Sequence, residues 1–318
     1  MYFEALMREL PGREKNMKFL VKNLMTTFAY YFLVDYYLGD EITKFHLGVE
    51  PPSSTLLGVN DYDQTMRISL IQDMDKIFVQ NNFLDMFLEK ILPHISCRFV
   101  LITGQWNLPA LTWNHQMERL LEDERVYRWF SQNPVDPMDH MDPMDHNPNF
   151  KKYIPIAYGL NIGYEKKNRE LTRYADALVQ QHRQESKKSI HVLLTPFMKT
   201  HPSREVFPEL PKIPSEEFYE NMSKARYVVS PIGDRDDTYR HMESIGLGAF
   251  PISNVGPMYR QIYGENMVYV PNTKDILNMY EQQTVPLQIQ PPYEDKGPCR
   301  DMICVSYWRD YLEKHIHS

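Results

Sequence analysis

Residues 226–270, RYVVSPIGDRDDTYRHMESIGLGAFPISNVGPMYRQIYGENMVYV, constrain the fold of this chain more than any other stretch. An apolar run gives way to a Gly-containing loop, then a helical pattern, a short strand (Ala249–Ser253), a second helix and a closing strand. That alternation predicts an α/β unit. The polar cluster of the segment, Gly233, Asp234, Arg235, Asp236, Asp237, Arg240 and Glu243, falls where the first strand turns into the first helix. In open α/β sheets ligands settle at the carboxyl ends of the strands, and a helix N-terminus there attracts phosphate. The segment therefore predicts a nucleotide-type ligand at this turn.

The same rhythm runs upstream. Lys76–Gln80 predicts a strand, and Phe83–Ile95 a helix with Phe83, Met86, Phe87, Ile91 and Leu92 on one face. Arg98–Gly104 (RFVLITG) reads as a strand buried on both sides. A helix over Asn114–Leu121 and strands at Val126–Phe130 and Tyr153–Ala157 follow. Residues 165–187 form a helical stretch with charge on most faces, and Ile190–Thr195 opens a second α/β unit, to which Thr273–Tyr280 adds a helix. After Val285 a Pro-rich segment leads to a last helix, Ser306–His315. The expected domains are an N-terminal α/β domain at 1–160, a linker helix at 161–190, a C-terminal α/β domain at 191–285 and a segment at 286–318 that packs back.

A net charge of −7 argues against a general nucleic-acid binder, which carries a basic face. Three cysteines (Cys97, Cys299, Cys304) are too few for a disulfide framework and are read as reduced thiols. The tandem hexapeptides in Asp136–Asn147 hold metal-ligand residue types, but a short duplication yields the same pattern, so no metal is assigned. Lys15, Lys18 and Lys22 precede the apolar run Leu24–Val34, eleven residues against the roughly 20 that span a bilayer. A buried or interfacial helix is favoured over a targeting segment there, with weak membrane association as a corollary. A soluble chain is favoured; a Golgi or ER lumenal or anchored protein is the alternative, to which the sequon Asn221-Met222-Ser223 adds little.

Two readings compete for the central cluster. Asp236 or Asp237 can cap the helix, Gly233 lets the loop approach a ligand, Arg240 can fork onto a diphosphate and Glu243 can accept two ribose hydroxyls. Alternatively Asp, Arg and Glu form an ion-pair network around one helix start, with no ligand. Gly246 and Gly248 allow close packing or a C-terminal turn. A Walker motif and a Gly-x-Gly-x-x-Gly after a strand are both missing, which disfavours an ATPase and a dinucleotide-dependent oxidoreductase.

Tyr227–Ser253 resembles the C-terminal signature of exostosin-like glycosyltransferases: an apolar strand, Ser-Pro, Gly, a polar loop, Arg, an acid three residues on, then Gly-x-x-Pro-Ile. Ser230-Pro231, Gly233, Asp237, Arg240, Glu243, Gly248, Pro251 and Ile252 occupy those places in order. Weaker echoes are RFVLITG, Trp129–Asn133 and Ile154–Asn161, although Gln105, Trp106 and Asn107 stand where relatives often carry an acid. The resemblance implies two Rossmann-like domains facing a cleft (GT-B), with a nucleotide-diphosphate sugar on the C-terminal domain and a glycan or other hydroxyl acceptor on the N-terminal one. It implies metal-independent sugar transfer with no cofactor beyond the donor. Donor contacts are then expected from Ser230, Gly233, Asp237, Arg240 and Glu243, with Lys199 and Arg204 in the loop after Ile190–Thr195 as further phosphate contacts. A general base near the acceptor hydroxyl would come from Asp61, Asp63, His115 or His201, none singled out by spacing. A catalytically degenerate binding or scaffold protein of the same shape is the competing expectation.

Overall fold

The computed structural model describes residues 1–39, 55–56, 68–104, 114–135, 148–160, 169–184, 188–292 and 296–318. In chain order helices α1 (Tyr2–Glu9) and α2 (Met17–Asn23) precede strands β1 (Tyr36–Leu38), β2 (Thr55–Leu56), β3 (Asp75–Gln80) and β4 (Phe99–Gly104). Helix α3 (His115–Glu122), β5 (Val126–Gln132), β6 (Tyr153–Ile156), α4 (Arg169–Gln184) and β7 (Ile190–Leu193) follow. Next come α5 (Ser215–Lys224), β8 (Ala225–Val229), α6 (Tyr239–Gly246), β9 (Phe250–Ser253), α7 (Arg260–Tyr263), β10 (Val268–Tyr269), α8 (Thr273–Gln282) and α9 (Val305–Ile316). The protein is thus α/β, with two parallel sheets in two compact units.

One unit comprises Thr27–Tyr158 and Arg309–Ser318. Its sheet runs β2-β1-β3-β4-β5-β6, every pairing parallel. All six residues of β4 are buried, as its unbroken apolar run requires of a strand covered on both faces. Asn114 caps α3 by accepting from the N–H groups of Gln116 (3.0 Å) and Met117 (3.2 Å), and Met117, Leu120 and Leu121 face inward. The expected helix over Phe83–Ile95 is broken into a 3-10 turn, a single α-turn at Leu84–Met86, a π-turn at Phe87–Ile91 and a 3-10 turn at Leu92–His94. Pro93, which has no N–H to donate, ends the regular ladder, yet Phe87, Ile91 and Leu92 still reach the core.

The other unit comprises Met1–Thr26 and Gly159–Trp308. Its four strands lie in the order β10-β9-β8-β7, again all parallel. Val192, Phe207, Tyr227, Val229, Phe250, Ile252, Val268 and Ile276 form one core cluster. Two expectations are corrected here. The first 26 residues do not belong with 27–158: Phe3 N–H donates to Asp301 Oδ1 (2.6 Å), the Arg300 guanidinium lies over the Phe3 ring (3.7 Å), and Met25 N–H donates to Ile303 O (2.8 Å). The stretch read as a linker helix is α4, which packs against α5 and buries Leu171, Tyr174, Ala175, Leu178 and Val179, an apolar stripe at helical spacing hidden among its charges.

The apolar run Leu24–Val34 is buried, but not as a helix. Regular helix stops at Asn23, and a 3-10 turn occupies Ala29–Phe32. Among the described residues no helix is long and apolar enough to cross a membrane. The three cysteines are free thiols; Cys304 is buried and Cys97 half-buried. The tandem hexapeptides Asp136–Asn147 and residues 105–107 lie outside the described residues.

Candidate functional site

The 226–270 segment folds as its pattern predicts, and its polar loop, residues 230–238, lies at the carboxyl end of β8. Ser230 N–H donates to Ile252 O (2.9 Å), which prolongs the ladder one residue past β8 before the chain turns. The loop then satisfies its own amides: Ile232 N–H donates to Asn254 Oδ1 (3.1 Å), Gly233 N–H to Arg235 O (2.9 Å) and Asp234 N–H to Thr200 Oγ1 (3.2 Å). The close approach expected at Gly233 exists, but the neighbour is Arg204. A Cβ added at Gly233 would sit 2.6 Å from Arg204 Nη2.

Arg204 rises from the 3-10 turn Pro202–Val206 and ties two loops together. Its Nε donates to Ile232 O (2.7 Å), Nη2 to Pro231 O (2.9 Å), and Nη1 to Met198 O (2.9 Å) and Thr200 Oγ1 (3.4 Å). The guanidinium also lies over the Phe197 ring, 5.1 Å from its centroid. Among the described residues no carboxylate is within ion-pair distance of it. Burial, reinforced by the Arg240 charge, pushes its pKa down to about 10, so it stays cationic at neutral pH.

Arg240 occupies the first turn of α6. Its Nη1 donates to Thr195 Oγ1, its Nη2 reaches Pro196 O (3.4 Å), and its guanidinium lies 4.5 Å from the centroid of Phe218. Nε is 3.5 Å from Glu243 Oε2, an ionic contact that leaves this buried N–H without a hydrogen bond. Glu243 is 6% exposed at its side chain, and Oε1 accepts from Tyr219 OH (3.4 Å). Burial lowers the Arg240 pKa and raises that of Glu243, each opposed by the charge of the other. The ion-pair geometry is therefore present, and Arg240, 17% exposed, is the more open of the two.

Asp237 does not cap α6. The N-cap is Thr238, and the Asp237 carboxylate is buried, accepting from Tyr263 OH at 2.7 and 2.8 Å and facing His241 Nδ1 at 2.8 Å. A carboxylate removed from water needs such partners. Asp236 is exposed. Ser230 Oγ is buried with no hydrogen-bond partner. Gly246 and Gly248 divide the two roles foreseen for them: a Cβ at Gly246 would collide with Tyr174 OH, while Gly248 turns the chain at φ +70°.

The remaining candidates are scattered. Lys199 sits in the loop after β7, 4.0 Å from Glu209. His201 caps the Pro202–Val206 turn, its Nδ1 accepting from Ser203 N–H (3.2 Å). His115 is exposed at the first position of α3, in the Thr27–Tyr158 unit. Asp61 and Asp63 lie outside the described residues. Sequence reasoning missed His241, Tyr219, Tyr263 and Thr195. His241 had a usable signal, four residues after Asp237 on a helix start, whereas Tyr263 lies 26 residues away and carries none. Neither a scan against models of known protein families nor a search of curated proteins finds a match for this chain.

Proposed function

We propose that this chain is an exostosin-like glycosyltransferase of GT-B type, which binds a nucleotide-diphosphate sugar at the carboxyl ends of β7 and β8 and transfers the sugar to a hydroxyl acceptor without a metal. One observation carries the reading. Two half-buried guanidinium groups, Arg204 and Arg240, flank the loop at that edge, and Glu243 is the one described carboxylate in ion-pair contact with either. An anion arriving there gains charge-assisted hydrogen bonds from groups already desolvated and held in place, the arrangement that stabilises a departing diphosphate. The unpartnered Nε–H of Arg240 and Oγ of Ser230 add hydrogen-bonding capacity at the same edge. Two parallel-sheet units are compatible with a pair of Rossmann-like domains, and the order of residues from Ser230 to Ile252 supports the family reading.

Calorimetric titration with UDP, GDP and their sugars at low ionic strength tests it. Arg240→Lys keeps a cation opposite Glu243 but loses the planar fork, so diphosphate affinity should fall about tenfold or more while the far-ultraviolet spectrum is unchanged. A native protein that binds none of these ligands would refute the proposal. A second reading, a donor-binding protein without transfer, draws on the enclosure of Glu243 and on His201 serving as a cap. Release of free nucleotide from a bound nucleotide sugar, with or without acceptor, separates the two.

A further inference from the structure

We propose that His241 is a positioning residue, a buried staple that closes the 230–238 loop and so fixes the direction from which Arg240 meets a diphosphate. The inference rests on the nucleotide-binding reading above and assigns the part of that site which the resemblance leaves blank.

The ring is completely buried, and its two nitrogens reach opposite ends of the loop. Nδ1 lies 2.8 Å from Asp237 Oδ1, at the end of the loop, and 3.3 Å from Thr238 N. Nε2 lies 3.1 Å from Ser230 O, at its start, and 3.1 Å from Ser253 Oγ at the end of β9. Tyr263 OH donates to Asp237, and the Tyr263 ring stands edge-on to the imidazole at 5.6 Å. One side chain thus joins β8, β9, the loop and the first turn of α6, with α7 bracing its acid. Arg204 holds the same loop from the other side through Pro231 O and Ile232 O. Arg240 is the residue before His241, so any shift of the staple is passed to it through one peptide unit.

Ser253, His241 and Asp237 follow the order of a nucleophile, base and acid. Ser253 is fully buried and shares Nε2 with the Ser230 carbonyl, so no substrate reaches it and the role is positional. A purely structural role would be met by any side chain that fills the space. A positioning role needs the two polar contacts, because they set the loop's span rather than its volume.

The test compares His241→Leu, which fills the space without polar contacts, with His241→Asn, whose amide can still meet Asp237, and with Asp237→Asn. Calorimetry with UDP and with UMP is run well below each variant's thermal midpoint. His241→Leu should weaken UDP about tenfold and UMP less than threefold, and His241→Asn should recover part of the loss. Equal weakening of UDP and UMP, or unchanged affinity in a folded Leu variant, would overturn the staple while leaving the nucleotide reading intact. If the Leu variant does not fold, Asp237→Asn decides: it should weaken UDP at least threefold with UMP unchanged, and wild-type affinity for both overturns the proposal. Where the native protein binds GDP rather than UDP, the same comparison is made with GDP and GMP, and a native protein that binds none of the four nucleotides overturns both.

Discussion

Gly233 tests whether the loop is shaped by a protein side chain or kept open for a ligand. Its φ is not in the left-handed region, so Gly233→Ala carries no backbone strain and any cost comes from space alone. The new methyl would lie 2.6 Å from Arg204 Nη2 and 2.9 Å from Cζ, which pushes the guanidinium off its acceptors. Three of its hydrogen bonds, to Ile232 O, Pro231 O and Met198 O, are 2.7–2.9 Å long. At about 1.5–2 kcal/mol each, as for charged donors, they contribute roughly 5 kcal/mol. Against this stands the cost of burying the charge. A pKa pushed from 12.5 to about 10 corresponds at face value to about 3 kcal/mol, and because the side chain stays partly open to water, screening trims this to on the order of 2–3 kcal/mol. Arg204→Ala should therefore lose about 2 kcal/mol of stability, and Gly233→Ala, whose arginine can swing to solvent, between about 1 and 2 kcal/mol. The double variant should be no less stable than Arg204→Ala alone, a coupling of about 1–2 kcal/mol in a double-mutant cycle by urea denaturation. Strict additivity would refute the reasoning and return Gly233 to the role of a ligand-facing gap.

Arg240→Ala leaves Glu243 buried without its cation, so it should cost about 3 kcal/mol at pH 7. That loss should shrink on acidification: burial holds the Glu243 pKa above its unfolded value, the folded state takes up the proton first, and stability falls as pH rises through that interval. Urea midpoints of the variant between pH 4.5 and 8 check this, and a pH-independent loss would contradict it. Lys188 donates to Ser223 O and Leu247 O, both at 3.0 Å, and burial pushes its pKa down to about 7. Its unfolded form stays protonated up to about 10.5, so the unfolded state binds more protons above pH 7 and the protein should gain stability as pH rises. The gain between pH 7 and 9.5 should be on the order of 1–3 kcal/mol relative to Lys188→Met, and parallel pH profiles of the two proteins would rule it out.

What could be foreseen depended on whether the determining contacts were local. Strand β4 was legible because a run such as FVLIT has one stable environment, the middle of a parallel sheet. The turn from β8 into α6 was legible because charge, glycine and apolar pattern change together there. Helix α4 was legible as a helix but not as a packed one, because its stripe of five buried residues is diluted by charges on the other faces. In the site, Arg240 and Glu243 lie three residues apart and were seen as a pair. Their supports, Thr195 and Tyr219, come from other elements, 45 and 24 residues away, and no spacing rule reaches that far. The local rule allows either Asp236 or Asp237 as the cap, but Thr238 takes that place and the Tyr263 hydroxyl, 26 residues on, holds the Asp237 carboxylate.

The grouping of Met1–Thr26 with Gly159–Trp308 also bears on how the chain is made. Leu20, Val21, Leu24 and Met25 end fully buried, and Met25 is pinned by the carbonyl of Ile303. On a ribosome adding about 5–20 residues per second, these side chains emerge roughly 15–60 s before that carbonyl is synthesised. The Thr27–Tyr158 sheet can assemble during that wait, while the apolar segment just ahead of it first meets native partners at Leu160 and α4 and gains its last only with Ile303. Expression of this protein should therefore respond to holdase chaperones, and to elongation speed across residues 160–300, more than the stability of the finished fold would indicate.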